Sequence, residues 1–206
     1  MFRLICLCIG YCIGCIETAY VVGRIWQVDL RQHGSGNLGT TNALRVLGKK
    51  AGALVFIGDI MKSVIAFVIC RAIFGSNLAG VYGSVGAVLG HNYPFYLKFK
   101  GGKGIAATAG LYLSLDPVMT LVAIVLFGGA VGATRYVSLG SILVSIWLPV
   151  GTILFGQQGK WGLSQGHLYE LYAITIFLCL MAIFRHRKNI GRLLNGTESK
   201  LGQKAK

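Results

Sequence analysis

Long apolar runs separated by short polar, glycine-rich segments dominate the chain. Crossing about 30 Å of hydrocarbon takes roughly 17–25 residues of helix. Windows of that kind run over Ile5–Trp26, Ala53–Phe74, Leu78–Leu97, Val137–Phe155 and His167–Phe184. The run Ile105–Ala133 is too long for one span and contains Asp116-Pro117. Proline disfavours helix in the residue before it, so this run is divided there into a short helix and a fuller one. The pattern predicts an all-α polytopic membrane protein of about seven transmembrane helices, or six if the division fails. The first window lacks a charged region beyond Arg3 and an A-x-A site, so it is read as a retained span rather than a cleaved signal peptide. No soluble domain is expected; residues 1–206 are read as a single integral membrane domain.

Composition strengthens this picture. Apolar residues make up 54% of the chain and charged residues 13%, against roughly 45–50% and 25% in an average soluble protein. Disorder is excluded by the hydrophobicity. Collagen is excluded by the 3 prolines and the absence of a Gly-X-Y period among the 30 glycines. All 6 cysteines lie in apolar runs. Cys8, Cys12 and Cys15 share one helix face by spacing and are read as small packing residues, with neither a disulfide framework nor a metal site implied.

Charge then fixes an orientation. The net charge is +14, from 20 Lys and Arg against 6 Asp and Glu. With seven spans, sixteen of the basic residues fall on one set of flanks: Arg24–Lys50, Lys98–Lys103, Arg135 and the tail from Arg185. Arg3, Arg71 and Lys160 fall on the other set, and Lys62 lies within a span. Basic loops stay in the cytoplasm, which predicts an outside amino terminus and a cytoplasmic carboxyl terminus. Membrane topology and an anionic substrate account for this charge, and no nucleic-acid partner is expected.

Three cytoplasmic regions, 27–52, 90–104 and 185–206, are richer in chemistry than topology requires. The first contains Gly34-Ser35-Gly36-Asn37-Leu38-Gly39-Thr40-Thr41-Asn42-Ala43-Leu44-Arg45. Its glycines permit positive φ and close ligand approach. Ser35, Asn37, Thr41 and Asn42 offer hydroxyls and amides, and Arg45 a bidentate fork for phosphate. A turn-rich linker is the plainer alternative. The second region reads Lys100-Gly101-Gly102-Lys103-Gly104 before a helix. Gly101, Gly102 and Gly104 predict an anion nest of backbone N–H groups, with Lys100 and Lys103 supplying full charges and the helix N-terminus adding to them. It is not a Walker A loop; a flexible basic turn is the alternative. In the third region His186, Asn189 and Leu193 share a face if the last helix continues, while Arg185, Arg187, Lys188 and Arg192 suit anionic lipid. Asp59 and Lys62, at i and i+3 within a span, predict an ion pair. Glu17 is isolated in the first span, fitting either a packing or a lining role.

Taken together and in this order, the three regions resemble the motifs of the acyl-phosphate:glycerol-3-phosphate acyltransferases of bacterial membranes. Gly34–Arg45 resembles the first motif, Gly90-His91 through Gly104 the second, and Arg185-His186-Arg187-Lys188-Asn189-Ile190 through Glu198 the third. Glu17, Thr40 and Ser63 stand where the family commonly has Pro, Ala and Gly. The resemblance implies transfer of a fatty acyl group from acyl phosphate to the 1-hydroxyl of glycerol 3-phosphate, giving 1-acylglycerol 3-phosphate and phosphate, the first acylation of phospholipid synthesis. It implies Ser35, Arg45, His186 and Asn189 as catalytic residues, glycerol phosphate bound by Gly101, Gly102 and Gly104, and a structural Glu198; the chemistry of the loops adds Asn37, Thr41, Asn42, Lys100 and Lys103 about the phosphate. It further implies no cofactor or metal, an inner-membrane location with a cytoplasm-facing site, and coupling to an enzyme that makes acyl phosphate. The proton of the attacking hydroxyl goes either to His186 or to a donor phosphate oxygen; an acylated Ser35 is a third route. A transporter or scramblase of an anionic solute is the competing class, and a membrane scaffold a third.

Overall fold

In the computed structural model, residues 1–159 and 161–203 are described. Lys160 and the last tail lysines, counted above for charge, lie outside them. The described residues form ten α-helices, one 3₁₀ turn and no strand. They group into two compact units, residues 1–114 with the chain end from Gly202, and residues 115–201. Five stretches are long and apolar enough to span a membrane: Phe2–Ile25, Lys49–Phe74, Pro117–Thr134, Val137–Gly156 and Gln165–Arg185.

The first unit is built around α5 (Asn77–Asn92), a glycine-rich helix buried on almost every side. A hydrophobic driving force is missing between helices in lipid, so close backbone approach through small residues replaces it. Gly10 and Gly14 of α1 (Phe2–Gly14) lie against Gly83 and Ala87 of α5, and Gly86 and Gly90 of α5 lie against the α1 backbone. On the other side, Gly80 meets the Phe67 ring of α4 (Lys49–Phe74), where an added Cβ would come within 2.9 Å. A methyl group at these seams would force the helices apart. The outer face of α4 presents Leu54, Ile57, Met61, Ile65 and Val68, exposed and spaced at helical intervals, as a lipid-facing stripe requires. Cys6, Cys15 and Cys70 are packed as expected. Cys8 and Cys12 are exposed instead, because the seam with α5 is made by the glycines of α1 rather than by its thiols.

The first predicted span is interrupted. α1 ends at Gly14, and α2 (Thr18–Ile25) starts after Glu17, whose ψ of 97° is extended. Unwound backbone at membrane depth is tolerated only where its polar groups are satisfied inside the protein. Here the Tyr96 hydroxyl donates to the Cys15 carbonyl at 2.8 Å, and Lys62 Nζ to the Ile16 carbonyl at 3.4 Å. The third predicted span is also shorter than its apolar run. α5 stops at Asn92, and Phe95–Leu97 form the 3₁₀ turn after Pro94. The division at Asp116-Pro117 holds: α6 (Ile105–Leu115) ends one residue before Asp116 and α7 (Pro117–Thr134) begins one after it.

In the second unit Asp116 caps α7, accepting from Val118 N at 2.8 Å and Met119 N at 3.2 Å, with proline at the first helical position. Its other oxygen accepts from the Trp161 indole at 3.1 Å. α8 (Val137–Gly156) packs against α7 and α9 (Gln165–Arg185). The chain then bends at His186 into α10 (Arg187–Leu194).

Candidate active site

Region 27–52 is not an open loop. It folds over a cluster of Leu30, Leu38, Ala43, Ala51 and Val55, and its second half is α3 (Thr40–Leu47), packed so closely on α4 that a Cβ at Gly52 would lie 2.8 Å from Leu44. Asn42, 1% exposed, ties the region together. Its Oδ1 accepts from Ser35 N at 2.9 Å, and its Nδ2 donates to the carbonyls of Leu30 at 3.0 Å and His33 at 3.1 Å. An amide nitrogen has two donors, and both are committed here, leaving none for a phosphate oxygen. Asn42 is therefore a brace for the loop rather than the phosphate ligand expected from sequence. Gly34 (φ +61°) turns the backbone directly over Asn42 Oδ1 and leaves no room for a Cβ.

The brace presents Ser35 exposed on the loop, with Asn37 and Thr41 half-buried beside the start of α3. Arg45, half-buried in the last turn of α3, has no hydrogen-bond or ion-pair partner among the described residues. Arg31, by contrast, is neutralised. Hydrogen bonds from its side chain and backbone pull the Asp29 carboxyl down to about 2, with the ion pair closing at 2.7 Å.

Region 90–104 departs from the expected nest. Gly101 N donates to Asn92 O at 3.2 Å and Gly102 N to His91 O at 3.0 Å. These are end carbonyls of α5, so two of the three N–H groups assigned to an anion cap a helix instead. Gly104 (φ +83°) turns the chain into α6. The first bond of that helix is Thr108 N to Gly104 O at 2.7 Å. The preceding N–H groups, Ile105–Ala107, precede any carbonyl they could bond within the helix and form its positive end. Lys100 is exposed and Lys103 half-buried just ahead of it. The anion-binding potential of this region thus lies at Lys103, Gly104 and the start of α6. Gly101 and Gly102 are needed for closeness: Gly102 lies between the His91 ring and Leu38 O, which an added Cβ would approach to 2.6 Å.

In the second unit, His186 and Asn189 are 3% and 7% exposed. The bend at His186 interrupts the continuous face expected from spacing. His186 Nδ1 lies 2.8 Å from the Ala182 carbonyl. A carbonyl only accepts, so Nδ1 carries a proton and donates to it. Glu198 fixes the other two residues of the region, accepting from Asn189 Nδ2 and Arg192 Nε at 2.6 Å each. Burial pushes the Glu198 carboxyl up, but these bonds outweigh it and hold it below its ordinary value.

Sequence reasoning passed over His91 as a site residue. The signal was available, since Asp59, Lys62 and Glu17 are ionisable groups at membrane depth and need partners. The structure supplies them through His91: Lys62 Nζ lies 2.7 Å from His91 Nδ1 and 3.1 Å from Asp59 Oδ1.

This is an all-helical membrane protein with a braced, cationic polar region over its first unit, suited to anionic headgroups. Residues 4–196 match the family model described as glycerol-3-phosphate acyltransferase. Curated relatives include the glycerol-3-phosphate acyltransferases of Thermoanaerobacter pseudethanolicus, 42% identical over 205 residues (99% of this chain, 98% of that one), and of Clostridioides difficile, 43% identical over 202 residues (95% and 94%). Among solved structures, the glycerol 3-phosphate form of PlsY (YgiH), an integral membrane glycerol 3-phosphate acyltransferase, superposes with a TM-score of 0.85 at 35% identity, covering 97% of this chain and 96% of that one. Its lysophosphatidic acid form gives 0.84 at 34% identity, covering 97% and 95%. The chain belongs to the glycerol-3-phosphate acyltransferase family.

Proposed function

We propose that this acyltransferase moves a fatty acyl group from an acyl phosphate to the 1-hydroxyl of glycerol 3-phosphate. The hydroxyl oxygen forms an ester with the acyl carbon, the bond from that carbon to the phosphate oxygen breaks, and inorganic phosphate leaves. The observation that carries this reading is Arg45: a half-buried residue without a counter-charge among the described residues, beside a loop whose shape a buried asparagine dictates. Its guanidinium fork suits a phosphate dianion. Lys103 and the positive end of α6 supply a further attraction for phosphate, and Ser35 a hydroxyl. The relatives found with glycerol 3-phosphate and lysophosphatidic acid support the acceptor and product.

A mixed anhydride already has a good leaving group, so positioning and charge neutralisation supply most of the catalysis. His186 takes the hydroxyl proton on Nε2, because Nδ1 is engaged with the Ala182 carbonyl. Asn189, held by Glu198, orients an oxygen of the substrates. The transfer is direct, without an acyl-enzyme on Ser35, which lies exposed and whose hydroxyl has no hydrogen bond to a base among the described residues of its own unit. In this reading the chain crosses the inner membrane seven times with its amino terminus outside and these groups face the cytoplasm, where an acyl-phosphate-producing enzyme delivers the donor.

The test uses detergent-purified protein with palmitoyl phosphate or palmitoyl-CoA as donor and glycerol 3-phosphate as acceptor. Phosphate release that requires both palmitoyl phosphate and glycerol 3-phosphate is expected. Equal or faster transfer from palmitoyl-CoA overturns the donor assignment. No transfer from either donor, with glycerol 3-phosphate flux in sealed vesicles, would make the protein a transporter.

A further inference from the structure

Four ionisable side chains meet at the core of the first unit: Glu17 at the break between α1 and α2, Asp59 and Lys62 on α4, and His91 on α5. They are 0%, 1%, 5% and 2% exposed. Lys62 connects them. An ammonium has three donors, and three acceptors surround Nζ: His91 Nδ1 at 2.7 Å, Asp59 Oδ1 at 3.1 Å and Ile16 O at 3.4 Å. Each belongs to a different element. Thr18 Oγ1 adds a donor to Asp59 Oδ1 at 3.1 Å. Because an ammonium cannot accept, His91 Nδ1 is the acceptor and the ring proton sits on Nε2, the nitrogen packed against Gly102.

The cluster touches the phosphate region at two points. A Cβ on Gly102 would overlap His91 Nε2, and one on Gly101 would lie 3.1 Å from Glu17 Oε1. Neither Glu17 oxygen has a hydrogen bond among the described residues, although Oε1 lies 3.3 Å from His91 Nδ1. A buried carboxyl left in this way is costly, and the His91 ring that lies against it is itself bonded to Lys62. His91 O also receives the Gly102 N–H. The backbone and ring of one residue therefore both set the position of Gly101-Gly102, two residues ahead of Gly104.

We propose that Lys62, Asp59, Glu17 and His91 form a positioning cluster for glycerol 3-phosphate, in which Lys62 sets the tautomer and tilt of His91 and His91 sets the pose of Gly101-Gly102. None of the four touches substrate. The inference rests on the proposed acyl transfer and adds what places its acceptor-binding segment. Loosening the cluster weakens acceptor affinity while leaving the chemical step nearly intact, because the groups assigned to chemistry lie elsewhere.

The experiment measures phosphate release from palmitoyl phosphate across a range of glycerol 3-phosphate for His91→Ala, His91→Asn, Lys62→Met and Lys62→Met/His91→Ala, with melting curves in detergent as a check on folding. The expected result is a KM for glycerol 3-phosphate raised about tenfold or more in His91→Ala and Lys62→Met, with kcat within about threefold. His91→Asn, whose Oδ1 can take the Lys62 proton in place of Nδ1, should restore most of the affinity. The double variant should be no worse than the worse single, as for two residues acting through one contact. Unchanged KM in both single variants, additive losses in the double variant, or losses in kcat alone would each overturn the proposal. If His91→Ala fails to fold, His91→Asn with Lys62→Met decides on the same terms. Failure of the proposed reaction is recognised separately, as wild-type protein that releases no phosphate.

Discussion

Replacing Asn42 with alanine deletes the brace of the first loop while leaving Ser35 and Arg45 in the sequence. Three hydrogen bonds go: to Ser35 N, Leu30 O and His33 O, at 2.9–3.1 Å. A hydrogen bond contributes about 1 kcal/mol net, so the ordered loop loses about 3 kcal/mol. At about 1.4 kcal/mol per tenfold, kcat/KM falls about a hundredfold if the loop must be ordered for transfer. The informative comparison is Asn42→Asp. Aspartate keeps the acceptor for Ser35 N but turns its second oxygen toward the Leu30 and His33 carbonyls and buries a charge, so a bracing role predicts that Asn42→Asp melts lower than Asn42→Ala, with both below wild type. A phosphate ligand at this position predicts that both variants melt like wild type and lose only affinity for the substrate. The assay is phosphate release at several glycerol 3-phosphate concentrations, with thermal melting alongside. Wild-type activity in Asn42→Ala, or wild-type melting in both variants, would refute the reasoning.

Two further expectations concern the second unit. His186→Ala lowers kcat by about 10²–10⁴-fold if Nε2 takes the hydroxyl proton, with little change in melting temperature; kcat within threefold of wild type would instead assign that proton to the donor phosphate. Glu198 has its carboxyl held below the ordinary value of 4.5 in the folded protein, so its contribution to stability is complete above that value and is lost as pH falls through the lower, folded value. Melting temperature followed from pH 7 down to pH 3 should therefore drop more steeply in wild type than in Glu198→Gln, and parallel acid limbs would contradict this.

Much of the helical layout was legible because apolar length alone locates spans, and Asp116-Pro117 marked its break through the rule for residues before proline. The interruption at Cys15–Glu17 was not legible. The apolar run continues through it, and the groups that satisfy its carbonyls, Lys62 and Tyr96, lie 46 and 81 residues away in sequence. The glycines were visible as a composition, whereas their use required knowing that Gly10 and Gly14 face Gly83 and Ala87. Cys8 and Cys12, read as packing residues from their shared helix face, are exposed because that seam is made by glycines. At the site, residue types were read more securely than roles. Gly101-Gly102 suits an anion nest by sequence, but whether an N–H group meets an anion or a carbonyl depends on where the preceding helix ends. Asn42 has the chemistry of a phosphate ligand, and only its burial reveals a brace.

Steady-state kinetics of Arg45→Ala test the central claim most directly. If the braced first loop binds the phosphate of the reacting substrates, the variant melts like wild type yet transfers palmitate from palmitoyl phosphate to glycerol 3-phosphate with kcat/KM down by about a hundredfold or more, the loss of a charge-assisted bidentate contact of about 3 kcal/mol. Arg45→Ala protein that matches wild type in both kcat and KM would place acyl transfer elsewhere in the molecule.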